Sequence, residues 1–288
     1  MNMIRNCLMA MVGAAVLSGC GTLSKDIAGP MVISFDHGAT DTLVELGLEE
    51  KIVAVPKTGL PDYLGHLAAA RPDAGNLKTP DLDVVADAEP DLVLVTGRQA
   101  ESLEALQEIV QVQDVSLLGD DYREGVQVRV LGLATLYGMY EEAESRLQAL
   151  WKSVDQARDG ITGNPQVVVV THNDDNFSLR DEPVVSQLLG LEQPDVPAGV
   201  ESVTRGTRVF TPATPEVLAD MAPDHLFVVD RSAAIGDEPL DASTLRRDLQ
   251  AVGAGDIEVT ILSPGLWYLS GGGLQSVRLQ VQEILGAL

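Results

Sequence analysis

The sequence predicts an α/β protein built from two similar lobes that are joined by one long connector helix. Apolar strand-like runs alternate with helical patterns along the 288 residues, which is typical of α/β folds. Residues 83–98 (DVVADAEPDLVLVTGR) recur at 216–231 (EVLADMAPDHLFVVDR) with a constant offset of 133 and no gap. Between the two copies, apolar residues recur every three or four positions from 140 to 160, which predicts a helix about 30 Å long.

Each copy of the repeat runs from a short helical face through a Pro-Asp turn into an apolar strand, and ends on an arginine. The identical positions include Val84/Val217, Ala86/Ala219, Asp87/Asp220, Pro90/Pro223, Asp91/Asp224 and Arg98/Arg231. In open α/β sheets, ligands bind beyond the carboxyl ends of the strands. Two lobes that face each other would therefore direct Arg98 and Arg231 into one shared cleft. A chance likeness between two αβ units is the alternative to duplication.

The remaining elements divide between an N-terminal lobe, 31–138, and a C-terminal lobe, 163–288, with the connector at 139–162. The N-terminal lobe has predicted strands at 31–35, 52–55 and 112–118 besides the repeat, and helices near 43–48, at 100–110 and from 121 onward. The C-terminal lobe has predicted strands at 167–171 and 257–262, helices at 183–189 and 274–285, and loops at 192–212 and 263–273.

The first twenty residues have the pattern of a secretory signal. Arg5 precedes an apolar run of 11 residues, 7–17, which is too short to span a membrane. Leu17-Ser18-Gly19-Cys20 follows and resembles the lipobox of bacterial lipoproteins. We therefore expect a signal peptide at 1–19, lipidation of Cys20 and a tether at 20–30. An ordinary signal peptide with an incidental cysteine is the alternative.

Composition excludes several classes of function. The formal net charge of −24 and the lack of a basic stripe argue against a nucleic-acid partner. No GxSxG, P-loop, HExxH or GxGxxG motif is present, so we expect no catalytic set and no resident cofactor. Cys7 and Cys20 are the two cysteines, and removal of the signal would leave the folded part without a disulfide or a thiolate metal site.

Arginine is the strongest candidate for ligand binding. Its planar guanidinium forms bidentate hydrogen bonds to carboxylate or catecholate oxygens. A structural ion pair is the alternative role for Arg98 and Arg231. Other residues are expected to line the cleft because they lie at strand ends or in the late loop, and they are Lys57, His37, Trp267 and Tyr268. His172 also ends a predicted strand, and both a cleft position and a structural role stay open for it.

A triglycine segment, 271–273, precedes the last predicted helix. Glycines at a helix N-terminus allow an anion to approach the free backbone N–H groups. A tight turn capped by Ser270 explains the same residues, so both interpretations remain open from the sequence.

Several longer segments resemble the substrate-binding lipoproteins of bacterial iron-siderophore and cobalamin ABC importers, and in particular the ferric-catecholate subgroup. The segments are DTLVELGL (41–48), VPKTGLPDYL (55–64), LVLVTGRQ (92–99), HLFVVDRSAAIG (225–236) and LWYLSGGGLQS (266–276). The resemblance implies two Rossmann-like α/β lobes on a helical backbone, as in periplasmic binding proteins. It also implies capture of an anionic ferric siderophore in the cleft and delivery to an ABC permease for iron uptake.

The resemblance also implies roles for single residues. Arginines that match Arg98 and Arg231 hold the chelate in the family, and Arg180 is the available match for a third arginine. Tyr268 matches a tyrosine that ligates iron in some relatives. The histidine expected near 205–209 is replaced by Arg205 and its neighbours, which argues against iron coordination by the protein and favours extra positive charge for the chelate.

The remaining implications concern partners and location. Asp83 and Glu216 lie at equivalent points of the repeat and match acids that dock onto the permease, although an acid in a first helical turn also complements the helix dipole. The resemblance implies an ABC permease with its ATPase as partners, a monomer, and a lipid-anchored position in the periplasm or at the cell surface of a bacterium.

Three other functions stay open from the sequence. A haem or corrinoid binding protein of the same importer class is the nearest, and a neutral corrinoid would need aromatics more than arginines. A signalling or adhesion lipoprotein without a transporter belongs to a different class. An enzyme with two Rossmann-like lobes, such as a metallocluster reductase, is disfavoured by the absence of cysteine after the signal.

Overall fold

Four parallel strands form the sheet of the N-terminal lobe. The computed structural model describes residues 27–206 and 208–288, so the predicted signal peptide, Cys20 and most of the tether lie outside the described residues. The sheet order is β2-β1-β3-β4, with β1 at Val32–Ser34, β2 at Ile52–Ala54, β3 at Leu92–Val95 and β4 at Val112–Asp114. Its helices are α1 at His37–Glu45, α2 at Gly65–Ala70, α3 at Leu82–Asp87, α4 at Leu103–Ile109 and α5 at Tyr122–Thr135.

The C-terminal lobe repeats this arrangement with one changed strand. Its sheet has the order β10-β9-β5-β6, with β5 at Val167–Asn173, β6 at Asn176–Leu179, β9 at His225–Asp230 and β10 at Glu258–Leu262. A separate hairpin pairs β7, Val203–Arg205, with β8, Arg208–Phe210. The helices of this lobe are α7 at Pro215–Met221, α8 at Arg231–Ile235, α9 at Ala242–Ala251 and α10 at Leu274–Ala287.

The connector helix α6 spans Tyr140–Gly160, which confirms the helix predicted over 140–160. At 1.5 Å per residue it is about 31 Å long. Its buried side includes Ala143, Leu147, Leu150 and Val154, which are members of the predicted apolar stripe. This face packs against α5 and α10.

The sequence repeat is also a structural repeat, because both copies begin their strand with the same hydrogen bonds. In the first copy, Asp91 accepts a hydrogen bond through Oδ2 from the Met31 backbone N–H at 2.8 Å, and its own N–H donates to the Met31 carbonyl at 2.8 Å. In the second copy, Asp224 forms the same two bonds with Gln166, also at 2.8 Å. The Pro-Asp turn therefore ties β3 to β1 and β9 to β5 in the same way.

The two sheets differ in one edge strand, which is β2 in the N-terminal lobe and β6 in the C-terminal lobe. In the N-terminal lobe, β2 reaches β1 through a helical crossover and runs parallel to it. In the C-terminal lobe, β6 follows β5 after the two residues Asp174 and Asp175, and runs antiparallel to it. Both have positive φ, 47° and 61°, as a two-residue hairpin turn requires.

The lobes share one hydrophobic core instead of meeting only through α6. A single cluster of buried side chains includes Leu43 of α1, Val130 of α5, Leu147 of α6 and Ile284 of α10. Helix α10 belongs to the C-terminal lobe, yet it packs against α1 of the other lobe as well as against α6. Because a hinge motion would have to break this packing, the structure favours little movement of one lobe against the other.

Two predicted segments need correction, and one edge strand was not predicted. The strand predicted at 112–118 ends at Asp114. The segment 192–212, predicted as a loop, contains the β7–β8 hairpin, and β6 was not predicted. These elements are short and partly exposed, so they lack the buried apolar runs from which the other strands were recognised.

Candidate functional site

Arg98 lies just beyond the carboxyl end of β3, and its backbone is held by local hydrogen bonds. It belongs to a single turn of 3₁₀ helix, Gly97–Gln99. Thr96 caps this turn, with its hydroxyl accepting from the Arg98 N–H at 3.4 Å, and Gln99 Oε1 accepts from the Thr96 N–H at 2.7 Å. The Arg98 residue is exposed. The fold therefore fixes where the side chain begins and leaves its guanidinium at the surface.

Arg231 occupies the matching place in the other lobe, as the first residue of α8 directly after β9. The preceding residue, Asp230, is the N-cap and accepts from the Ala233 N–H at 3.1 Å and from the Leu240 N–H at 2.8 Å. It also contacts His172 Nδ1 at 2.8 Å. Burial raises the pKa of Asp230, but hydrogen bonds from His172, Leu240 and Ala233 outweigh it and lower the pKa overall.

Tyr268 brings the two arginines together. It lies in a π-helical turn, Gly265–Leu269. Arg98 donates to the Tyr268 carbonyl at 2.8 Å, and Arg231 Nε donates to the Tyr268 hydroxyl at 2.9 Å. The guanidinium carbons lie 5.6 Å and 5.7 Å from the centre of the Tyr268 ring, within cation–π range. The prediction that these arginines converge from opposite lobes is therefore confirmed.

Two further arginines hold the same segment, 267–271, through its carbonyl oxygens. Arg180 donates to the Trp267 carbonyl at 3.3 Å, and Arg129 donates to the Gly271 carbonyl at 3.2 Å. Sequence analysis did not single out Arg129. Its available signal was its position within the apolar face of α5 beside the buried Val126, Val130 and Leu133, where a charged residue needs a partner.

Within 27–206 and 208–288, Arg98 and Arg231 differ from most other arginines in having no carboxylate partner. Eight of the eleven arginines whose side chains the structure describes form ion pairs within 4.0 Å, namely Arg71, Arg123, Arg129, Arg146, Arg158, Arg180, Arg247 and Arg278. The acceptors of Arg98 and Arg231 are a carbonyl, a phenol and the amide oxygen of Asn173. The alternative of a structural ion pair does not hold for these two residues among the described parts of the chain, so their positive charge is available to a ligand.

Arg180 is ion-paired, which argues against its predicted role as a third ligand arginine. Its Nε donates to Glu182 Oε2 at 2.7 Å, and that carboxylate is 6% exposed. Burial raises the pKa of Glu182, while the charge and hydrogen bond of Arg180 oppose the rise. The arginine therefore neutralises a buried acid.

The prediction that Trp267 lines the cleft is wrong. Its side chain is 1% exposed, and the indole Nε1 donates to Glu283 Oε2 at 2.6 Å. Neighbouring side chains on a helical turn point in different directions, so a turn that directs Tyr268 toward the arginines directs Trp267 into the core.

His37 is likewise a core residue and not a cleft residue. It is 0% exposed at the start of α1. Burial lowers its pKa to about 4, with Asp36 opposing the shift and Arg98 adding to it. His172 is also buried, against Asp230.

Two other predicted ligand residues remain predictions. Lys57 lies after β2 and is half-buried; its backbone N–H donates to Asp73 Oδ1 at 3.1 Å. Arg205 is the last residue of β7, and its side chain lies outside the described part of the structure.

The triglycine segment is a bend with positive φ at Gly271 and Gly272, and the helix that follows it is capped by the protein's own carboxylate. Asp41 of α1 accepts from the Gln275 N–H at 2.8 Å and from the Ser276 N–H at 2.7 Å. Burial raises its pKa to about 6, and these hydrogen bonds oppose the rise. Because Asp41 already occupies the N-terminus of α10, the interpretation as a site for an external anion is wrong.

The two acids predicted to dock onto a permease lie at equivalent exposed positions. Asp83 is in the first turn of α3 and Glu216 in the first turn of α7. A hydrogen bond from the Thr214 side chain lowers the pKa of Glu216. Both helices begin toward the carboxyl edge of their sheet, because each runs back before the next parallel strand.

Within 27–206 and 208–288, no group of three or more His, Cys, Asp or Glu side chains is placed to hold a metal ion. In the same ranges, no helix is both long and apolar enough to cross a membrane.

The two α/β lobes and the long helix between them match a known family of binding proteins. The profile of the family described as periplasmic binding protein matches residues 32–260. The chain belongs to this family. Family membership also implies a location outside the cytoplasm.

Two similar proteins have names that state the ligand each one binds. The chain is 27% identical to the petrobactin-binding protein YclQ of Bacillus subtilis, over 97% of each chain. It is 22% identical to the ferric-anguibactin-binding protein FatB of Vibrio anguillarum, over 88% of this chain and 81% of that one.

Solved structures confirm the fold. The crystal structure of PiuA, an iron uptake ABC transporter substrate-binding protein of Streptococcus pneumoniae, has a TM-score of 0.77 and 27% identity, covering 90% of this chain and 93% of its own. The YclQ crystal structure has a TM-score of 0.76 and 25% identity, covering 90% and 92%.

Proposed function

We propose that this protein captures an anionic ferric siderophore of the catecholate type between its lobes and delivers it to an ABC permease. The observation that carries the proposal is the meeting of Arg98 and Arg231 at Tyr268, each without a carboxylate partner among the described residues. The names of the relatives YclQ and FatB support iron-siderophore binding. The family supports binding and transport in place of catalysis.

The chemistry of the arginines suits this ligand. A guanidinium has five N–H donors in one plane. Arg231 uses its Nε for Tyr268 and its Nη1 for Asn173, which leaves donors for a bidentate contact with catecholate oxygens. A charge-assisted hydrogen bond contributes about 1.5–3 kcal/mol, so two arginines offset the repulsion of an acidic protein surface.

The iron is proposed to remain fully coordinated by the siderophore, without a resident cofactor on the protein. The hydroxyl of Tyr268 accepts a hydrogen bond from Arg231, so this oxygen has a role within the protein as an acceptor for the arginine. The segment that supplies a histidine in some relatives carries Arg205 here. These features support recognition of the outer, negative surface of the chelate.

Delivery to the permease is proposed to use one exposed acid on each lobe. Asp83 and Glu216 are exposed, and each lies in the first turn of a helix at the carboxyl edge of its lobe. Their places suit contacts with basic residues of a permease that spans both lobes. The LSGC segment supports attachment to the membrane through Cys20, and the protein is proposed to act as a monomer.

A titration of the purified mature protein tests the proposal. Quenching of its fluorescence would be followed with ferric petrobactin, a ferric tris-catecholate, a ferric hydroxamate, ferric citrate, haem and cobalamin. The proposal predicts saturable binding of at least one catecholate complex and much weaker binding of cobalamin. Preference for cobalamin or haem would support the corrinoid or haem alternative instead, and binding of none would leave a function outside transport as the better explanation.

A further inference from the structure

The contact between Asn173 and Arg231 has no role in the function described so far. Asn173 is the last residue of β5. The parallel register of β5 and β9 pairs His172 with Asp230, so the next step along both strands places Asn173 beside Arg231. The amide Oδ1 of Asn173 accepts a hydrogen bond from Arg231 Nη1.

The guanidinium of Arg231 is held on two sides. Asn173 binds Nη1, and the Tyr268 hydroxyl binds Nε. Two acceptors on different nitrogens fix the plane of the group as well as its position. A flexible arginine loses conformational entropy when it binds a ligand, and ordering it in advance removes much of that cost.

The residue type of Asn173 is informative because two other partly buried arginines, Arg129 and Arg180, are held by acids. Arg129 is held by Asp36 at 3.1 Å, and Arg180 by Glu182 at 2.7 Å. The sequence contains 43 acidic residues, and the two that follow Asn173 are Asp174 and Asp175. The residue that touches Arg231 is nevertheless an uncharged amide.

An aspartate at this position would accept the same hydrogen bond more strongly, but it would also neutralise the guanidinium. The amide orients Arg231 and leaves its charge for an anionic ligand. This difference matters most in a partly desolvated cleft, where charge–charge interactions are less screened than in water.

We propose that Asn173 is a positioning residue, which orients the Arg231 guanidinium for an anionic ligand without neutralising it. The proposal rests on the proposed function of Arg231 as a ligand-binding residue. It adds a second requirement to the cleft, namely that the group which fixes the arginine be uncharged.

The turn that follows Asn173 supports this arrangement. The backbone N–H of Asp174 donates to the Ser232 hydroxyl at 3.1 Å, so the end of β5 is attached to α8 next to Arg231. The positive φ values of Asp174 and Asp175 define a tight turn that holds Asn173 at the strand end. The acceptor is therefore part of a rigid edge of the sheet.

Two substitutions separate positioning from charge. Asn173→Ala removes the acceptor, and Asn173→Asp keeps an acceptor of similar shape while adding a negative charge. With ferric petrobactin as the first probe and the ferric complex of 2,3-dihydroxybenzoate as the second, Asn173→Ala should weaken binding about 2- to 12-fold. Asn173→Asp should weaken it about 10-fold or more, and by more than Asn173→Ala does.

The order of the two variants in ligand affinity decides between positioning and a purely structural role. If Asn173 only supported the fold, Asn173→Asp would bind as well as the wild type, and that result would overturn the proposal. In an Arg231→Ala background, Asn173→Ala should cause no further loss, whereas an equal loss in both backgrounds would show that Asn173 acts independently of Arg231. Thermal melting of each variant identifies any that fail to fold.

A measurement without ligand tests the positioning directly. The Nε–Hε signal of Arg231 in a proton–nitrogen spectrum of the ligand-free protein would be assigned by its disappearance in Arg231→Ala. Asn173→Ala should shift and broaden this signal toward that of a mobile arginine. An unchanged signal would refute the positioning role. If neither probe bound the wild type, the ligand assignment would fail while this spectrum still decided the role of Asn173.

Discussion

Arg180 provides a sharp test, because the structure assigns it to the fold and the family resemblance assigns it to the ligand. Its Nε–Oε2 bond to Glu182 is 2.7 Å long, and the side chains of Arg180 and Glu182 are 28% and 6% exposed. Arg180→Gln would leave the Glu182 carboxylate buried without its counter-charge. Loss of one partner of a fully buried pair costs about 3–5 kcal/mol, and the partial exposure of Arg180 reduces this to about 2–3 kcal/mol.

The assay is thermal unfolding of the mature protein at several pH values. For a protein of this size, a loss of 1 kcal/mol lowers the melting temperature by about 2–4 °C, so Arg180→Gln should melt about 4–12 °C below the wild type at pH 7. The pKa of Glu182 is already raised above its ordinary value of 4.5 by burial. Removal of Arg180 raises it further.

The pH dependence follows from the sign of that shift. A carboxyl group with a raised pKa stabilises the fold in its neutral form, and this contribution is complete below about 4.5 and is lost as the pH rises through the raised pKa. The gap between the variant and the wild type should therefore narrow as the pH falls from 7 toward 4.5. A control, Arg98→Gln, should melt like the wild type, because no carboxylate among the described residues depends on Arg98.

In ligand affinity, the two variants should rank in the opposite order to their effects on the melting temperature. Arg98→Gln should lose about 10- to 150-fold in affinity for a ferric catecholate, and Arg180→Gln should lose little at a temperature where it is folded. An Arg180→Gln protein with unchanged melting and a loss of affinity equal to that of Arg98→Gln would show that the reasoning from the Glu182 contact is wrong.

The remaining predictions concern the iron ligand, the docking acids and the anchor. Tyr268→Phe should leave the charge-transfer band of the bound ferric chelate unshifted and cause a modest loss of affinity, whereas a shifted band would show direct ligation of iron. Asp83→Lys combined with Glu216→Lys should abolish iron uptake by cells with near-normal ligand affinity, and normal uptake would eliminate the docking role. Cys20→Ser should remove the mass increment of a lipid from the mature protein; a wild-type protein without that increment would disprove the anchor.

Much of the fold was predictable because local sequence patterns specify its helices and strands. The 3- and 4-residue spacing of Ala143, Leu147 and Leu150 predicted α6, and the Pro-Asp turns predicted equivalent strands in both lobes. The turn at 173–176 was missed, although the Asn-Asp-Asp-Asn sequence is rich in the residues that tolerate positive φ.

Residues of the site could be predicted only where they follow the end of a predicted strand. Arg98 and Arg231 were found because a repeat placed both beyond a strand. The same rule failed for His37, since the position along the chain does not say whether a side chain points to the cleft or the core. Asn173 and Arg129 were missed because their partners, Arg231 and Gly271, are 58 and 142 residues away, and such contacts are set by tertiary packing.

The central claim is that Arg98 and Arg231 together hold an anionic ferric chelate. The most direct measurement is the affinity of Arg98→Glu combined with Arg231→Glu for ferric petrobactin or another ferric catecholate that the wild type binds. Lys152→Glu combined with Arg247→Glu is the matched control, because both residues are exposed and the change in net charge is the same. The account predicts a loss well beyond 150-fold in the cleft variant and near-wild-type affinity in the control, with both proteins folded. Undiminished binding by the cleft variant, or an equal loss in the control, would contradict it.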